Sequence, residues 1–266
     1  MYDRFDRNIN YLRISVTDRC NLRCSYCMPE EGIQLLRHAD ILTFDEIYNF
    51  TRIAVENGIT KVRLTGGEPL VRKGITALVR MISDIPGIND LSMTTNGVLL
   101  KQFAQELRSA GLHRVNISPD TANPVKFETI TRTGNIKDVF EGIEAAKEAG
   151  LLPVKINCVI KESKEEEDAM GVTRFCIDNG LEIRYIRQMD LVRGHFSTVD
   201  GGTGGDCSSC NRLRLTSNGK LKPCLFDNIE LDIRTLGSEE AIKRAIELKP
   251  ECGSVNKTGK FYNIGG

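Results

Sequence analysis

Asp18-Arg19-Cys20-Asn21-Leu22-Arg23-Cys24-Ser25-Tyr26-Cys27-Met28-Pro29 sets three cysteines on one short loop, directly after the apolar, β-branched run 11–16. Three thiolates so placed can hold three corners of a soft metal centre. Arg19 and Arg23 beside them are expected to favour the thiolate form. A closed zinc site wants four ligands, and the closest histidine is His38. A [4Fe-4S] cluster on three cysteines instead leaves one iron open to a further ligand. Zinc, or a coincidence of buried cysteines, is the alternative this stretch leaves standing.

Outward from that loop, apolar runs at 11–16, 61–65, 90–95, 113–118, 153–160 and 181–187 alternate with amphipathic stretches at 43–57, 73–84, 100–109, 136–149 and 165–178. Six β-then-α units in succession predict an α/β fold with a parallel sheet, open or curled into an incomplete barrel. Thr43-x-x-Glu46 and Ser163-x-x-Glu166 read as capping boxes at helix starts. Gly58, Gly111, Gly150 and Gly180 read as helix ends. In such folds the chemistry gathers at the C-terminal edge of the strands.

Each strand does end in something polar. The second ends in Thr65-Gly66-Gly67-Glu68-Pro69, where the glycines allow close backbone approach to a ligand and Glu68 can accept from an ammonium. The third ends in Thr94-Thr95-Asn96-Gly97, the fourth in Asn116-Ile117-Ser118-Pro119-Asp120, and the sixth near Gln188-Met189. Any one of these alone reads as an ordinary βα turn. Arg63, Lys155 and Arg184 sit inside strands, where a charge needs either a partner on a neighbouring strand or an anion in a cavity.

After Met189 the rhythm stops. Residues 194–206 hold five glycines and read as a connector. Cys207-Ser-Ser-Cys210 and Cys224 then supply a second set of three cysteines. Cys252 could complete a zinc set there; otherwise it reads, with Cys158 and Cys176, as a packing or surface residue. Arg212 and Arg214, at alternate positions, point to one side of an extended segment and suit phosphate. The organisation expected is 1–190 as barrel, 191–206 as connector and 207–266 as the segment bearing the second cluster. Lys plus Arg and Asp plus Glu balance at 36 each, so no global field recruits nucleic acid or an anionic membrane. Nine cysteines, without a secretory signal or an apolar run of transmembrane length, point to metal chemistry in a reducing, cytoplasmic setting.

C-x3-C-x2-C with an aromatic before the last cysteine resembles the signature of the radical S-adenosylmethionine (SAM) enzymes. With residues 12–29, the second cysteine set and the terminal Ile264-Gly265-Gly266, the chain is similar nearly end to end to the GTP 3′,8-cyclase family. That resemblance implies an incomplete (β/α)6 TIM-like barrel closed by a C-terminal segment. It also implies two [4Fe-4S] clusters, one on Cys20, Cys24 and Cys27 and one on Cys207, Cys210 and Cys224. Tyr26, Gly66, Gly67, Glu68, Ser118 and Met189 correspond to SAM contacts. Arg13, Arg63, Thr94, Lys155, Arg212 and Arg214 correspond to contacts with GTP, and the terminal Gly-Gly is small enough to enter a closed site.

The implied reaction is of lyase type. A 5′-deoxyadenosyl radical takes hydrogen from ribose C3′, and C3′ then joins guanine C8 to give (8S)-3′,8-cyclo-7,8-dihydroguanosine 5′-triphosphate, which opens molybdenum cofactor biosynthesis. An external electron donor is implied, with room for a homodimer and for a partner enzyme that accepts the product. Two departures stand out: the connector between Met189 and Cys207 is shorter than that family's, and Pro119 replaces its usual leucine. A paralogue acting on another nucleotide or a peptide, or a non-catalytic Fe-S or zinc protein, are the competing functions.

Overall fold

Strict alternation inside the apolar runs decides which face of the sheet meets the helices. The computed structural model describes residues 1–190, 194 and 196–255. The six runs form β1 (Tyr11–Ser15), β2 (Lys61–Thr65), β3 (Asp90–Thr95), β4 (Arg114–Ile117), β5 (Lys155–Ile160) and β6 (Glu182–Arg187). All six are parallel, and each pairs with its neighbour in chain order. Leu12, Ile14, Val62 and Leu64 are fully buried toward the helices, while Arg13 and Arg63 take the alternate, inner positions. Full burial of each such apolar side chain contributes about 1.5–3 kcal/mol.

The helices cover the outer face: α1 (Phe44–Glu56), α2 (Ile75–Ser83), α3 (Leu100–Ser109), α4 (Pro124–Thr131), α5 (Ile136–Glu148) and α6 (Glu167–Asn179). Thr43 and Glu46 form the expected reciprocal cap on α1. At Ser163 the box does not form. The Glu166 carboxylate instead accepts from the backbone N–H of Ser163 at 2.9 Å and of Lys161 at 3.0 Å, so α6 begins only after Glu166. α4 was not anticipated, although Asn123-Pro124 carries its start signal: Asn123 Oδ1 accepts from the N–H of Val125 and Lys126, and Pro124 occupies the first helical position.

The C-terminal segment joins the same sheet. β7 (Arg212–Leu215) runs parallel to β1 along its free edge, followed by antiparallel β8 (Lys220–Lys222) and β9 (Leu231–Asp232). The order is thus β6-β5-β4-β3-β2-β1-β7-β8-β9. Asn218-Gly219, with Gly219 at φ +84°, turns the β7–β8 hairpin, a signal readable in the sequence. Short α7 (Ile233–Leu236) and α8 (Ser238–Glu247) close the segment; α8 buries Ala241, Ile242, Ala245 and Ile246. The far edge, β6, has no fully buried residue, and Tyr185 exchanges backbone hydrogen bonds of 3.0 Å with Asp200 of the connector. Among the described residues no helix is long and apolar enough to cross a membrane.

Replacing Asn123 by alanine removes the α4 cap and should cost about 1 kcal/mol, or roughly 2–4 °C in Tm by thermal unfolding.

Candidate functional site

The cysteine loop leaves β1 and is gripped from three sides. From β2, Gly67 N–H donates to Thr17 O and Glu68 N–H to Arg19 O, both at 2.8 Å. A Cβ at Gly67 would lie 2.3 Å from Arg19 O, and one at Gly66 2.7 Å from Thr17 O. The glycines therefore bring backbone against the cysteine loop itself. From β3, the Asn96 amide donates to Asn21 Oδ1 at 2.8 Å and to Cys20 Sγ at 3.8 Å, and Leu22 N–H also points at Cys20 Sγ (3.4 Å). From the end of α4, Thr131 O accepts from Arg23 N and Ile130 O from Ser25 N. Arg132, at φ +63°, donates to the carbonyls of Arg23 and Met28, each at 3.0 Å.

Electrostatics on this loop differ from the expectation. Arg19 is engaged by Asp18 at 2.7 Å and by Leu36 O at 2.9 Å. Burial and the neighbouring thiols push Cys24 up to about 12 and, with Asp120, Cys27 to about 11; burial also raises Cys20. A soft metal must therefore supply the driving force for ionising these thiols. Glu68 is fully buried and accepts from Leu70 N, the Thr95 hydroxyl (2.8 Å) and Asn96 N (2.7 Å). Burial still raises it to about 7. Its bonds knit the β2 and β3 turns together behind the cysteine loop. Burial raises Asp120 to about 6, although its carboxylate accepts from Val159 N–H at 3.4 Å and the Tyr26 hydroxyl favours its charged form. Ser118 Oγ accepts from the Asn157 amide, and Met189 lies just beyond the end of β6.

The inner face of the sheet is cationic. Register places Arg63, Arg13 and Arg214 in one row across β2, β1 and β7, and Thr94, Asn116 and Lys155 in another across β3, β4 and β5. Burial, then the surrounding guanidinium groups of Arg214, Arg63 and Arg212, lower Arg13 well below its ordinary value. Burial with Arg212 brings Arg214 to about 10. Among the described residues Tyr11 Oη, Arg13 Nε, Thr94 Oγ1, Asn116 Nδ2 and Arg184 Nε are buried without a hydrogen-bond partner, and all five belong to inner positions of these strands. Each costs about 1–3 kcal/mol unless a ligand satisfies it. Arg63 Nε reaches Ser92 Oγ at 3.4 Å, and its guanidinium lies over Tyr11. Lys155, half-buried, is paired with Glu182 on β6 at 2.6 Å, a partner on the neighbouring strand.

The second cysteine set rests on buried cations. Lys249, 1% exposed, donates to Arg212 O (2.8 Å) and Pro223 O (2.7 Å). Burial raises Cys210, but Lys249 and Arg212 outweigh it and hold the thiol near 7; Arg212 also donates toward Cys210 Sγ at 3.6 Å. Arg7, locked to Asp3 in a buried pair at 2.7 Å, donates to Cys207 O at 2.7 Å. Among the described residues no three His, Cys, Asp or Glu side chains converge on a single metal ion. Both donor sets, three sulfurs each with nearby N–H donors, fit a larger thiolate-held cluster. Cys158 and Cys176 are buried packing residues, whereas Cys252 is exposed beside Cys207. The terminal Gly265 and Gly266 lie outside the described residues.

Tyr11, Asn116, Arg184, Arg7 and Lys249 were not singled out as site residues from sequence. Arg184 alone had a signal, a charge inside an apolar strand. Tyr11 and Asn116 follow from strand parity once Arg13 and Lys155 are placed.

Residues 14–176 match the radical SAM superfamily, and residues 162–254 match the family described as Molybdenum Cofactor Synthesis C. A GTP 3′,8-cyclase of Alkaliphilus metalliredigens is 40% identical over 94% of this chain and 93% of its own length. One of Geobacter sulfurreducens is 37% identical over 100% of this chain and 99% of its own. The latter alignment spans 324 residues against the 266 here, so this chain lacks about 58 internal positions of that relative. In fold, the chain is similar to Streptococcus suis SuiB bound to S-adenosylmethionine (TM-score 0.65, 15% identity, 92% of this chain and 64% of that one). It is also similar to native anSMEcpe with bound AdoMet (TM-score 0.63, 13% identity, 91% and 81%). These neighbours place the chain among partial TIM barrels.

Gly67→Ala should displace the cysteine loop and lower iron retained by Cys20, Cys24 and Cys27 several-fold, as iron analysis in a Cys207→Ala background would read. Because Glu68 and Asp120 hold protons in the folded chain above their ordinary carboxyl values, cluster-free protein should lose stability as pH rises from about 4 to about 7. Denaturant midpoints across that range should fall, and more shallowly in Glu68→Gln.

Proposed function

Since the chain belongs to the GTP 3′,8-cyclase family of radical SAM enzymes, we propose that it converts GTP to (8S)-3′,8-cyclo-7,8-dihydroguanosine 5′-triphosphate, the first step of molybdenum cofactor biosynthesis. The observation that carries this reading is the inner row Arg63–Arg13–Arg214, with Arg13 Nε and, on the same inner face, Arg184 Nε buried without a hydrogen-bond partner among the described residues. A triphosphate suits such a row, because its oxygens match guanidinium forks.

Cys20, Cys24 and Cys27 would hold one [4Fe-4S] cluster, which would supply the electron for reductive cleavage of SAM, and Cys207, Cys210 and Cys224 would hold a second, which would supply an open iron for guanine. The chain's own contribution is positioning. Arg13, Arg63, Arg212 and Arg214 hold the triphosphate, and Thr94 gives a buried hydroxyl without a hydrogen-bond partner among the described residues. Lys155 would exchange Glu182 for substrate. Tyr26, Gly66, Gly67, Ser118 and Met189 flank SAM, while Glu68 keeps Asn96 on Cys20 from behind. Segment 207–266 closes barrel 1–190 through connector 191–206, and the enzyme works in the cytoplasm with an external electron donor.

Anaerobic turnover with SAM, reductant and GTP deuterated at C3′ should put deuterium into 5′-deoxyadenosine; SAM cleavage without that transfer rejects the assignment. Arg212→Ala with Arg214→Ala should weaken GTP binding by about 100-fold or more, since each charged hydrogen bond contributes about 1.5–3 kcal/mol. Equilibrium dialysis reads the loss.

A further inference from the structure

Cys252 lies in none of the roles above, yet its sulfur is 3.1 Å from Cys207 Sγ. The contact is built rather than incidental. One guanidinium, that of buried Arg7, donates to Cys207 O (2.7 Å), Pro250 O (2.7 Å) and Glu251 O (2.9 Å), fastening segment 250–251 to the first cysteine of the set. On the other side, Ser254 N–H donates to Phe226 O at 2.9 Å. A Cβ at Gly253 would meet Cys224 Sγ at 3.2 Å and Phe226 Cβ at 2.7 Å. The residue following Cys252 is therefore glycine where the chain passes over Cys224, and Cys252 itself lies against Cys207.

We propose that Cys252 is a fourth, exchangeable thiolate of the C-terminal cluster, occupying the iron that Cys207, Cys210 and Cys224 leave open until the guanine base displaces it. This rests on the reading of those three cysteines as cluster ligands. The exchange involves no redox change: the iron–sulfur bond to Cys252 breaks, a bond from a guanine N or O donor forms, and the released thiolate takes a proton from solvent. Cys252 is exposed, so its sulfur can leave the cluster without disturbing the core. Substrate binding then carries the cost of displacing an internal competitor, and removing that competitor should tighten binding.

The test is alkylation under anaerobic conditions, with an iodoacetamide pulse read at Cys252 by peptide mass spectrometry. Cys252 should be modified readily in cluster-free protein, at least tenfold more slowly with both clusters loaded, and readily again once GTP is added. Equal rates in cluster-free and loaded protein overturn the proposal, as does continued protection while dialysis shows GTP bound. Protection with no GTP binding at all supports the ligand and overturns the cyclase reading instead. Cys252→Ala should bind GTP about tenfold tighter. Its reduced C-terminal cluster should give an electron paramagnetic resonance spectrum different from wild type before GTP is added. An unchanged spectrum would mean the loop merely shields Cys252, and would also overturn the proposal.

Discussion

Three guanidinium groups from adjacent strands, Arg63, Arg13 and Arg214, share one register row on the inner face of the sheet. At the ~5 Å spacing of paired strands, and an effective dielectric of about 20, neighbouring like charges repel by up to ~3 kcal/mol. The fold tolerates this because β1 is central. Its outward residues Leu12 and Ile14 are fully buried, and it is hydrogen-bonded on both sides. Guanidinium forks in such a row suit an anionic ligand, so the stability of the sheet and the affinity of the cavity are two uses of the same strand.

The same strand delivers the first cysteine loop, and the two cysteine sets are secured by different physics. The first is held by backbone contact and neutral hydrogen bonds from three elements, in an environment that keeps its thiols protonated without metal. The second is held by buried cations: Lys249 and Arg212 bring Cys210 to about 7, and Arg7 anchors the Cys207 carbonyl. Burial raises Cys224 in the same set, so these cations favour the thiolate at Cys210 and not at every sulfur of the set.

The sheet edge formed by β6 is covered differently. β6 ends the sheet with no fully buried residue, and the connector supplies a two-way backbone pairing at Tyr185 and Asp200. Gly201 passes with its Cα so near Ile183 O that a Cβ there would lie 2.9 Å away. A glycine-rich connector can thus lie against the strand edge where a bulkier segment would not fit.

The sequence by itself determined the six parallel strands, most of the helices and both cysteine sets. Each rests on local information: a period of two, a period near 3.6, capping residues and short spacings. It also marked Arg63, Lys155 and Arg184 as anomalous, because a charge in an apolar run is visible without knowing its neighbours. What only the tertiary structure decided was where those charges find partners. Lys155 meets Glu182 through the β5–β6 register, Arg19 turns to Asp18, and Glu68 faces Thr95 and Asn96. It alone brought Arg7 and Cys252, 245 positions apart in the chain, to the same cysteine. Such pairings depend on strand order and chain reversal, and no local pattern encodes the partner of a side chain that must cross the fold to be satisfied.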